Sequence, residues 1–152
     1  MSIRSPGAES TEHDPAIIRV AAGLLFRKSQ LLVCQRRAGG PFPLKWEFPG
    51  GKIEAGESGI AGLARELHEE LAIELRGATL VCSHDHLYPA GPRVLLQFYR
   101  VEFAGEPENR VFEQIRWCNL ADLGYFDFLQ ADRPVIERLM VEGEALLARG
   151  RI

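Results

Sequence analysis

One segment, Gly50–Ile73, constrains this chain of 152 residues more than any other. It reads GGKIEAGESGIAGLARELHEELAI and combines a glycine turn with five glutamates and one arginine. Ser58 can cap a helix that continues to about Ala72, because apolar residues recur at helical spacing after it. The segment therefore predicts a glycine loop and an amphipathic helix. The inward-facing stripe of this helix should consist of Ile60, Leu63, Ala64, Leu67 and Leu71.

The polar side of this helix carries more negative charge than folding favours. Glu66 and Glu70 are four residues apart with Glu69 beside them, and like charges at that spacing cost about 0.2–0.5 kcal/mol per pair. The helix dipole disfavours acids in the last turn by a further ~0.3–1 kcal/mol each. Mg²⁺ or Mn²⁺ would remove both penalties, since these ions bind carboxylates and substrate phosphates. Arg65 can relieve part of the charge through Glu69 or by reaching back to Glu57. A solvated acidic face is the alternative interpretation.

The complete spacing is G-x5-E-x7-R-E-U-x-E-E-x-G-U, where U is aliphatic, and it resembles the box of the Nudix hydrolase family. The matching positions are Gly51, Glu57, Arg65, Glu66, Leu67, Glu69, Glu70 and Ile73. Ala72 departs from the pattern because it replaces the late glycine of the family. Alanine pays about 1 kcal/mol for the left-handed conformation that glycine accepts. We therefore expect a lengthened or distorted helix end, with no ligating atom lost.

The resemblance implies an enzyme that hydrolyses phosphoanhydride bonds with one or more Mg²⁺ ions, for which Mn²⁺ could substitute. A backbone carbonyl of the glycine pair and three glutamates would bind the metal: Gly50, Gly51, Glu66, Glu69 and Glu70. Many family members add an acid from outside the box as ligand or general base. Glu113 lies near that place, but related sequences put the acid at the position of Val111, so Glu108 stays open. The predicted catalytic residues are Glu57, Arg65, Glu66, Glu69, Glu70 and Glu113.

The flanks of the box resemble the MutT branch of the family. The likeness rests on KWEFPGGKIE at 45–54, on Arg36 and Arg37, and on DRPVIERL at 132–139. Enzymes of this branch hydrolyse nucleoside triphosphates, typically with oxidised guanine, to monophosphate and pyrophosphate. The resemblance implies a substrate-binding set of Arg37, Glu47, Phe48, Pro49, Gly50, Arg93 and Asp132. Ordinary structural roles compete with it: Arg37 could belong to a surface pair, Phe48 to the core and Arg93 to a turn.

Asp132 stands where the namesake of the MutT branch has a base-reading asparagine. Aspartate can also cap a helix here, with Pro134 in its first turn. An ionised carboxylate offers two acceptors, which match N1–H and N2–H₂ of guanine, including the 8-oxo form. Against cytosine, one oxygen would oppose the N3 acceptor unless the carboxyl were protonated. We expect 8-oxo-dGTP as substrate, with CTP, dCTP or 5-methyl-dCTP as the alternative.

Two further classes are less favoured. ADP-ribose and nucleotide-sugar pyrophosphatases usually extend the N-terminal region for dimer formation, and this chain has little before Ile17. A non-catalytic nucleotide-binding Nudix domain is the non-enzymatic alternative, but such proteins typically lose box acids that this chain keeps. We expect a monomer or weak homodimer that removes oxidised nucleotides from the precursor pool.

Length and composition agree with a single enzyme domain at 16–152 behind a flexible tail at 1–15, and the alternating strand and helix patterns favour an α/β fold. The net charge of −3 gives no basic footprint for polymeric nucleic acid, and no apolar run reaches the ~20 residues that cross a bilayer. Three separated cysteines in apolar segments suit a reducing cytoplasm. The remaining pattern predicts a hairpin at 17–37, strands at 79–87, 94–103 and 114–117, a helical turn at 120–124 and a helix at 132–148. In that last helix Val135, Ile136, Leu139, Met140 and Leu147 should face inward. The family resemblance implies an α/β/α sandwich with a mixed sheet between helices.

Overall fold

The computed structural model describes residues 17–143 and 145–146. The predicted tail, Met1–Pro15, and the predicted core residue Leu147 lie outside this range. The described chain forms a mixed sheet of seven strands, with the order β3-β2-β1-β6-β5, while β4 pairs with β1 and β7 with β2. The strands are β1 Ile17–Arg27, β2 Gln30–Gln35, β3 Trp46–Glu47, β4 Gly50–Lys52, β5 Glu74–Leu87, β6 Arg93–Ala104 and β7 Gln114–Asn119.

β1 is the central strand, and it brings the glycine pair into the middle of the sheet. β1 runs parallel to β6 and antiparallel to both β2 and β4. Ala21 pairs with Gly51 and Ala22 with Gly50, so the loop that begins the box is itself a strand of the sheet. The predicted hairpin of the first two strands is confirmed.

Two α-helices cover the two faces of the sheet. α1, Gly59–Leu71, packs on one face through Leu63, Leu67 and Leu71. α2, Arg133–Glu142, packs on the other face through Val135, Ile136 and Leu139. Two 3₁₀ turns, Leu120–Tyr125 and Gln130–Asp132, precede α2. The α/β/α sandwich is therefore confirmed. None of the helices in the described chain is long and apolar enough to span a membrane.

Two residues predicted to face inward do not. Ile60 keeps 44% of its surface exposed and Met140 keeps 45%. Side chains on a helix lean towards its N-terminus, so Ile60 in the first turn projects past the start of α1. Gly59 makes the close approach to the sheet instead, because a Cβ there would collide with the Tyr99 hydroxyl. Met140 lies at the surface beside Gly124.

Ala72 ends α1 without lengthening it, which corrects our expectation. Its dihedral angles are φ 59° and ψ 30°, in the left-handed region, and its amide donates to the His68 carbonyl at 3.1 Å. The next residue, Ile73, is buried, and β5 begins at Glu74. Because the chain must turn at once to bury Ile73, alanine adopts the conformation that glycine would accept more cheaply.

Candidate metal and nucleotide site

α1 starts at the predicted cap and presents two glutamates to the glycine strand. The Ser58 hydroxyl accepts a hydrogen bond from the Ala61 amide at 3.0 Å, which satisfies a free amide of the first turn. At the other end of α1, the Gly50 amide donates to Glu70 Oε1 at 3.1 Å. A Cβ at Gly51 would lie 2.7 Å from both carboxylate oxygens of Glu66. Only glycine leaves room for a carboxylate so close to the backbone of β4.

The Glu66 and Glu70 carboxyls lie beside each other in a partly buried place. Burial, and then the negative charge of Glu66, raise the pKa of the Glu70 carboxyl well above its usual range. The side chain of Glu66 is 18% exposed. Two neighbouring carboxylates without a cation repel each other, and a bound divalent ion would remove that penalty.

Arg65 holds the surrounding acids in position. Its Nε and Nη2 donate to the two oxygens of Glu57 at 2.8 and 2.9 Å, and its Nη1 donates to Glu66 Oε2 at 2.9 Å. Nη2 also donates to the Lys52 carbonyl at 3.0 Å. The expected pairing with Glu69 is looser, with a nitrogen–oxygen distance of 3.8 Å. The charged partners raise the pKa of Arg65 further, so the guanidinium stays protonated.

Two predicted acids are not drawn into this cluster. The Glu69 side chain is 57% exposed. Glu113 is exposed, and its amide is bonded to the Gln35 carbonyl just before β7. Within residues 17–143 and 145–146, no three acidic, histidine or cysteine side chains converge closely enough to hold a metal ion. The roles of both glutamates remain predictions.

The donors near Gly51 nevertheless fit a hard divalent cation. Oxygen is the only donor type that Glu66, Glu70 and the backbone of β4 present, and Mg²⁺ and Mn²⁺ prefer oxygen. The absence of a side chain at Gly51 leaves the Glu66 carboxylate lying against the backbone of that strand.

A cleft of about 230 Å³ extends from Glu70 along the sheet. The Arg37 Nε donates to the Val111 carbonyl at 2.7 Å and lies in the wall of this cleft. Glu47 lies deeper and accepts from Arg36 Nη1 at 3.0 and 3.2 Å. Burial raises the pKa of Glu47, while the Arg36 charge and hydrogen bonds lower it. The residues that line the cleft are Arg36, Arg37, Gly40, Pro41, Glu47, Glu70, Val111 and Phe112.

Phe48 and Pro49 follow Glu47 into the core. The Phe48 ring is 3% exposed and packs against Phe98 and Phe128, at centroid distances of 6.3 and 5.4 Å. The Pro49 carbonyl accepts from the Gly23 amide at 2.8 Å and so fixes the loop to β1. Phe48 therefore belongs to the core, and the backbone of Pro49 fixes the loop; contact of either residue with substrate remains a prediction.

Asp132 is buried, and its side chain does not cap α2, the ordinary role that competed with base contact. It keeps 5% of its surface exposed, and its side chain makes no capping hydrogen bond. Capping residues are normally extended, whereas Asp132 continues the preceding 3₁₀ turn with φ −87° and ψ −13°. Burial, and then the charge of Glu47, raise the pKa of the Asp132 carboxyl well above its usual range. A hydrogen bond with the Phe48 backbone and the charge of Arg36 lower the pKa of the Asp132 carboxyl, but their effect is smaller.

Arg93 is not brought to the carboxylate cluster. It starts β6, where its Nη2 pairs with Asp85 Oδ2 at 2.6 Å. Gly50 pairs with Ala22 of β1, and Ala22 pairs in turn with Phe98 of β6. Phe98 lies five residues after Arg93. At about 3.3 Å per residue, roughly 16 Å of strand separates Arg93 from that level of the sheet. Its contact with substrate remains a prediction.

The sequence patterns did not identify Arg36 and Phe112 as residues that line the cleft, or Tyr88 as a neighbour of Asp132. Arg36 was readable only as a strand-end charge, because its pairing with Glu47 depends on the register of β2 and β3. Tyr88 follows β5 in a turn rich in proline and glycine, which indicated a loop without showing what it faces. An aromatic residue beside a predicted pocket was the one signal that could have identified it.

Comparison with known proteins agrees with this geometry. The sequence matches the NUDIX domain family over residues 17–139. It is 37% identical over 131 residues to a Haemophilus influenzae protein named 8-oxo-dGTP diphosphatase, over 85% of this chain and 96% of that relative. It is 33% identical over 125 residues to an Escherichia coli protein named CTP pyrophosphohydrolase, over 82% of this chain and 92% of that relative.

A solved structure has the same fold. The solution structure of the E. coli ORF135 protein superposes with a TM-score of 0.75 at 32% identity, and the match covers 85% of this chain and 92% of that one. The chain belongs to the Nudix family. It is an enzyme that hydrolyses phosphoanhydride bonds, and enzymes of this family generally use a divalent metal ion.

Proposed function

We propose that this enzyme hydrolyses nucleoside triphosphates to nucleoside monophosphate and pyrophosphate, with 8-oxo-dGTP as its preferred substrate. One observation carries the proposal: Glu47 and Glu70 line the same cleft, and the buried Asp132 carboxyl lies close enough to Glu47 for their charges to interact. Glu70 belongs to the acidic cluster of α1, and Asp132 is a buried polar residue near Glu47. A nucleotide lying from one of these acids to the other would put its phosphates at Glu70 and its base at Asp132. The name of the H. influenzae relative supports the same substrate.

The acids of α1 form the phosphate end of the proposed site. Glu66, Glu69 and Glu70, with a carbonyl of Gly50 or Gly51, would hold Mg²⁺, and Mn²⁺ would substitute. The ion would neutralise phosphate charge and make a bound water more acidic. Arg65 orients Glu66 through its hydrogen bonds, and the Gly50 amide orients Glu70.

Cationic groups of the cleft wall complete the phosphate end. Arg37 lies in this wall with its Nε on the Val111 carbonyl, which leaves the two terminal nitrogens of its guanidinium to donate to phosphate oxygens. Val111 is the position where related sequences carry an acid, and this chain has no carboxylate there. Glu113 and Glu108 remain the proposed acids from outside the box. Single Glu→Gln substitutions at these two positions would identify which one contributes.

Asp132 forms the base end of the proposed site. Its raised pKa favours the neutral carboxyl, which has one donor and one acceptor. In 8-oxoguanine, N7 carries a hydrogen beside the O6 acceptor, so this edge is complementary to a neutral carboxyl. In unmodified guanine, N7 and O6 are both acceptors. A protonated Asp132 would therefore discriminate in favour of the oxidised base.

The same protonation state also favours the second candidate, a CTP or dCTP pyrophosphohydrolase. Cytosine presents the N4–H₂ donor beside the N3 acceptor, and a neutral carboxyl matches both. The relative named CTP pyrophosphohydrolase supports this candidate. The ionised carboxylate would have excluded cytosine, so burial of Asp132 strengthens the alternative.

Steady-state kinetics with Mg²⁺ would test the proposal. The values of kcat/KM for 8-oxo-dGTP, dGTP, CTP, dCTP and 5-methyl-dCTP should rank 8-oxo-dGTP first, with pyrophosphate as the released product. A preference for cytosine nucleotides would replace the first candidate by the second. Failure to release pyrophosphate from any of the five would contradict both. We further propose that the enzyme acts in the cytoplasm as a monomer or weak homodimer.

A further inference from the structure

Phe42 is an exposed aromatic residue on the loop at 36–45 beside the cleft. Its side chain keeps 49% of its surface exposed, and its φ of 50° lies in the region that non-glycine residues rarely adopt. The loop is nevertheless fixed in place. Arg36 Nε donates to the Pro41 carbonyl at 2.9 Å, and Gln35 Nε2 donates to the Leu44 carbonyl at 3.1 Å. The fold therefore holds a large apolar ring at the surface in an unfavourable backbone conformation.

The Phe42 ring packs against the ring of Tyr88, the first residue after β5. Their ring centroids are 5.9 Å apart, with an angle of 38° between the planes. His86 supports Tyr88 from below, with the rings edge to face at 4.4 Å. The guanidinium of Arg36 also lies over the Phe42 ring, with its Cζ 5.9 Å from the ring centroid.

The two rings lie beside Arg36, which lines the same cleft as Glu47 and Glu70. Burial, and then the charge of Asp132, raise the pKa of Tyr88, and Arg36 and Glu47 also act on its hydroxyl. Tyr88 is therefore a neighbour of the buried carboxyl, and Phe42 is a neighbour of Tyr88. A base bound near Asp132 would therefore lie close to these two rings.

We propose that Phe42 and Tyr88 bind the nucleobase of the substrate by stacking, with Phe42 presented to the base by its loop. The inference rests on the proposed function and adds the residues that supply affinity for the base. Every base has a π face, so stacking on aromatic rings supplies affinity without reading sequence edges. Asp132 would then select among bases that the two rings hold in place.

A purely structural role for Phe42 makes a different prediction. If the ring only covers the loop, its removal would affect stability and would change affinity for all ligands equally. If the ring stacks on the base, its removal weakens the binding only of ligands that contain a base. The product pair separates these cases, because 8-oxo-dGMP contains the base and pyrophosphate does not.

Titration calorimetry in Mg²⁺ with these two products tests the inference. Phe42→Ala should lower the affinity for 8-oxo-dGMP by about 5- to 150-fold, the range that base stacking gives on removal of an aromatic ring. The affinity for pyrophosphate should not change. Phe42→Trp should restore the affinity. Leu44→Ala is the matched control, since Leu44 is on the same loop, 46% exposed and also at positive φ.

Unchanged affinity of Phe42→Ala for 8-oxo-dGMP would overturn the inference, as would an equal loss for 8-oxo-dGMP and pyrophosphate. Turnover of nucleoside triphosphates by the unsubstituted enzyme is measured separately. Normal turnover combined with an unaffected Phe42→Ala variant would refute only the stacking role. Lack of turnover by the unsubstituted enzyme would refute the proposed function itself.

Discussion

Arg65 donates two parallel hydrogen bonds to the carboxylate of Glu57, from Nε at 2.8 Å and from Nη2 at 2.9 Å. The same guanidinium reaches Glu66 Oε2 at 2.9 Å. The pair therefore joins the loop before α1 to the helix and fixes the direction of the Glu66 carboxylate. A planar guanidinium makes these contacts together, whereas a lysine ammonium is a single point charge that cannot reproduce the fork.

Arg65→Lys should lower kcat about 10–100-fold, the range typical when a residue that orients metal ligands is changed. The charge is kept, so the effect would come from lost geometry at Glu66. Arg76→Lys is the control, because Arg76 forms an exposed ion pair with Glu74 at the start of β5, just after the box. Activity of Arg65→Lys equal to that of the control would contradict the positioning role.

The hydrogen bonds from Arg65, followed by that from the Glu54 amide, lower the pKa of Glu57 from 4.5 to about 2. The folded carboxyl thus binds its proton more weakly than the unfolded one. Its contribution to stability is complete above about pH 4.5 and is lost as the pH falls towards 2. The urea midpoint of the unsubstituted protein should therefore fall more steeply over this window than that of Glu57→Gln. Parallel curves would show that the contact does not stabilise the fold.

Ala72→Gly should raise the free energy of unfolding by up to about 1 kcal/mol, since glycine accepts the left-handed conformation that strains alanine. The same change in the middle of α1, Ala64→Gly, should lower it by about 1 kcal/mol. Urea denaturation measures both variants. If both substitutions destabilise the protein equally, then Ala72 is not strained at the helix end.

Asp132→Asn should keep kcat/KM for the preferred nucleotide within a few-fold, because an amide has the donor and acceptor of a neutral carboxyl. Asp132→Ala removes both groups and should cost about 5- to 150-fold, corresponding to ~1–3 kcal/mol for a bidentate base contact. Steady-state kinetics with 8-oxo-dGTP and dCTP measures this. If Asp132→Asn lowers kcat/KM as much as Asp132→Ala does, the ionised carboxylate reads the base.

The helix of the box was predictable because its signals are local. Ser58 caps α1 and three leucines at spacings of four residues bury its stripe, as the sequence pattern indicated. The sequence offered Arg65 two nearby partners, Glu57 and Glu69, and the structure pairs it closely with Glu57. Ile60 was misassigned because periodicity does not show that a first-turn side chain projects beyond the sheet.

The base end of the site was less predictable because it depends on long-range pairing. Trp46 bonds to the Asp127 carbonyl and to the Leu129 amide, both at 2.9 Å, and this holds the turn that leads to Asp132. No pattern within residues 127–132 shows that contact. The capping alternative for Asp132 used only local preference, whereas the tertiary structure buries the carboxyl near Glu47.

The central claim is that the Glu66–Glu70 pair of α1 binds a divalent cation that carries the substrate phosphates. Glu70→Gln tests it most directly, because the amide keeps the size of the side chain and an acceptor for the Gly50 amide while removing the charge. Calorimetric titration with Mn²⁺, combined with turnover in saturating Mg²⁺, is the measurement, and Glu102→Gln on β6 is the exposed control. We predict that Glu70→Gln folds normally, loses cation affinity and has no measurable turnover. Unchanged Mn²⁺ affinity together with near-normal turnover would contradict the account.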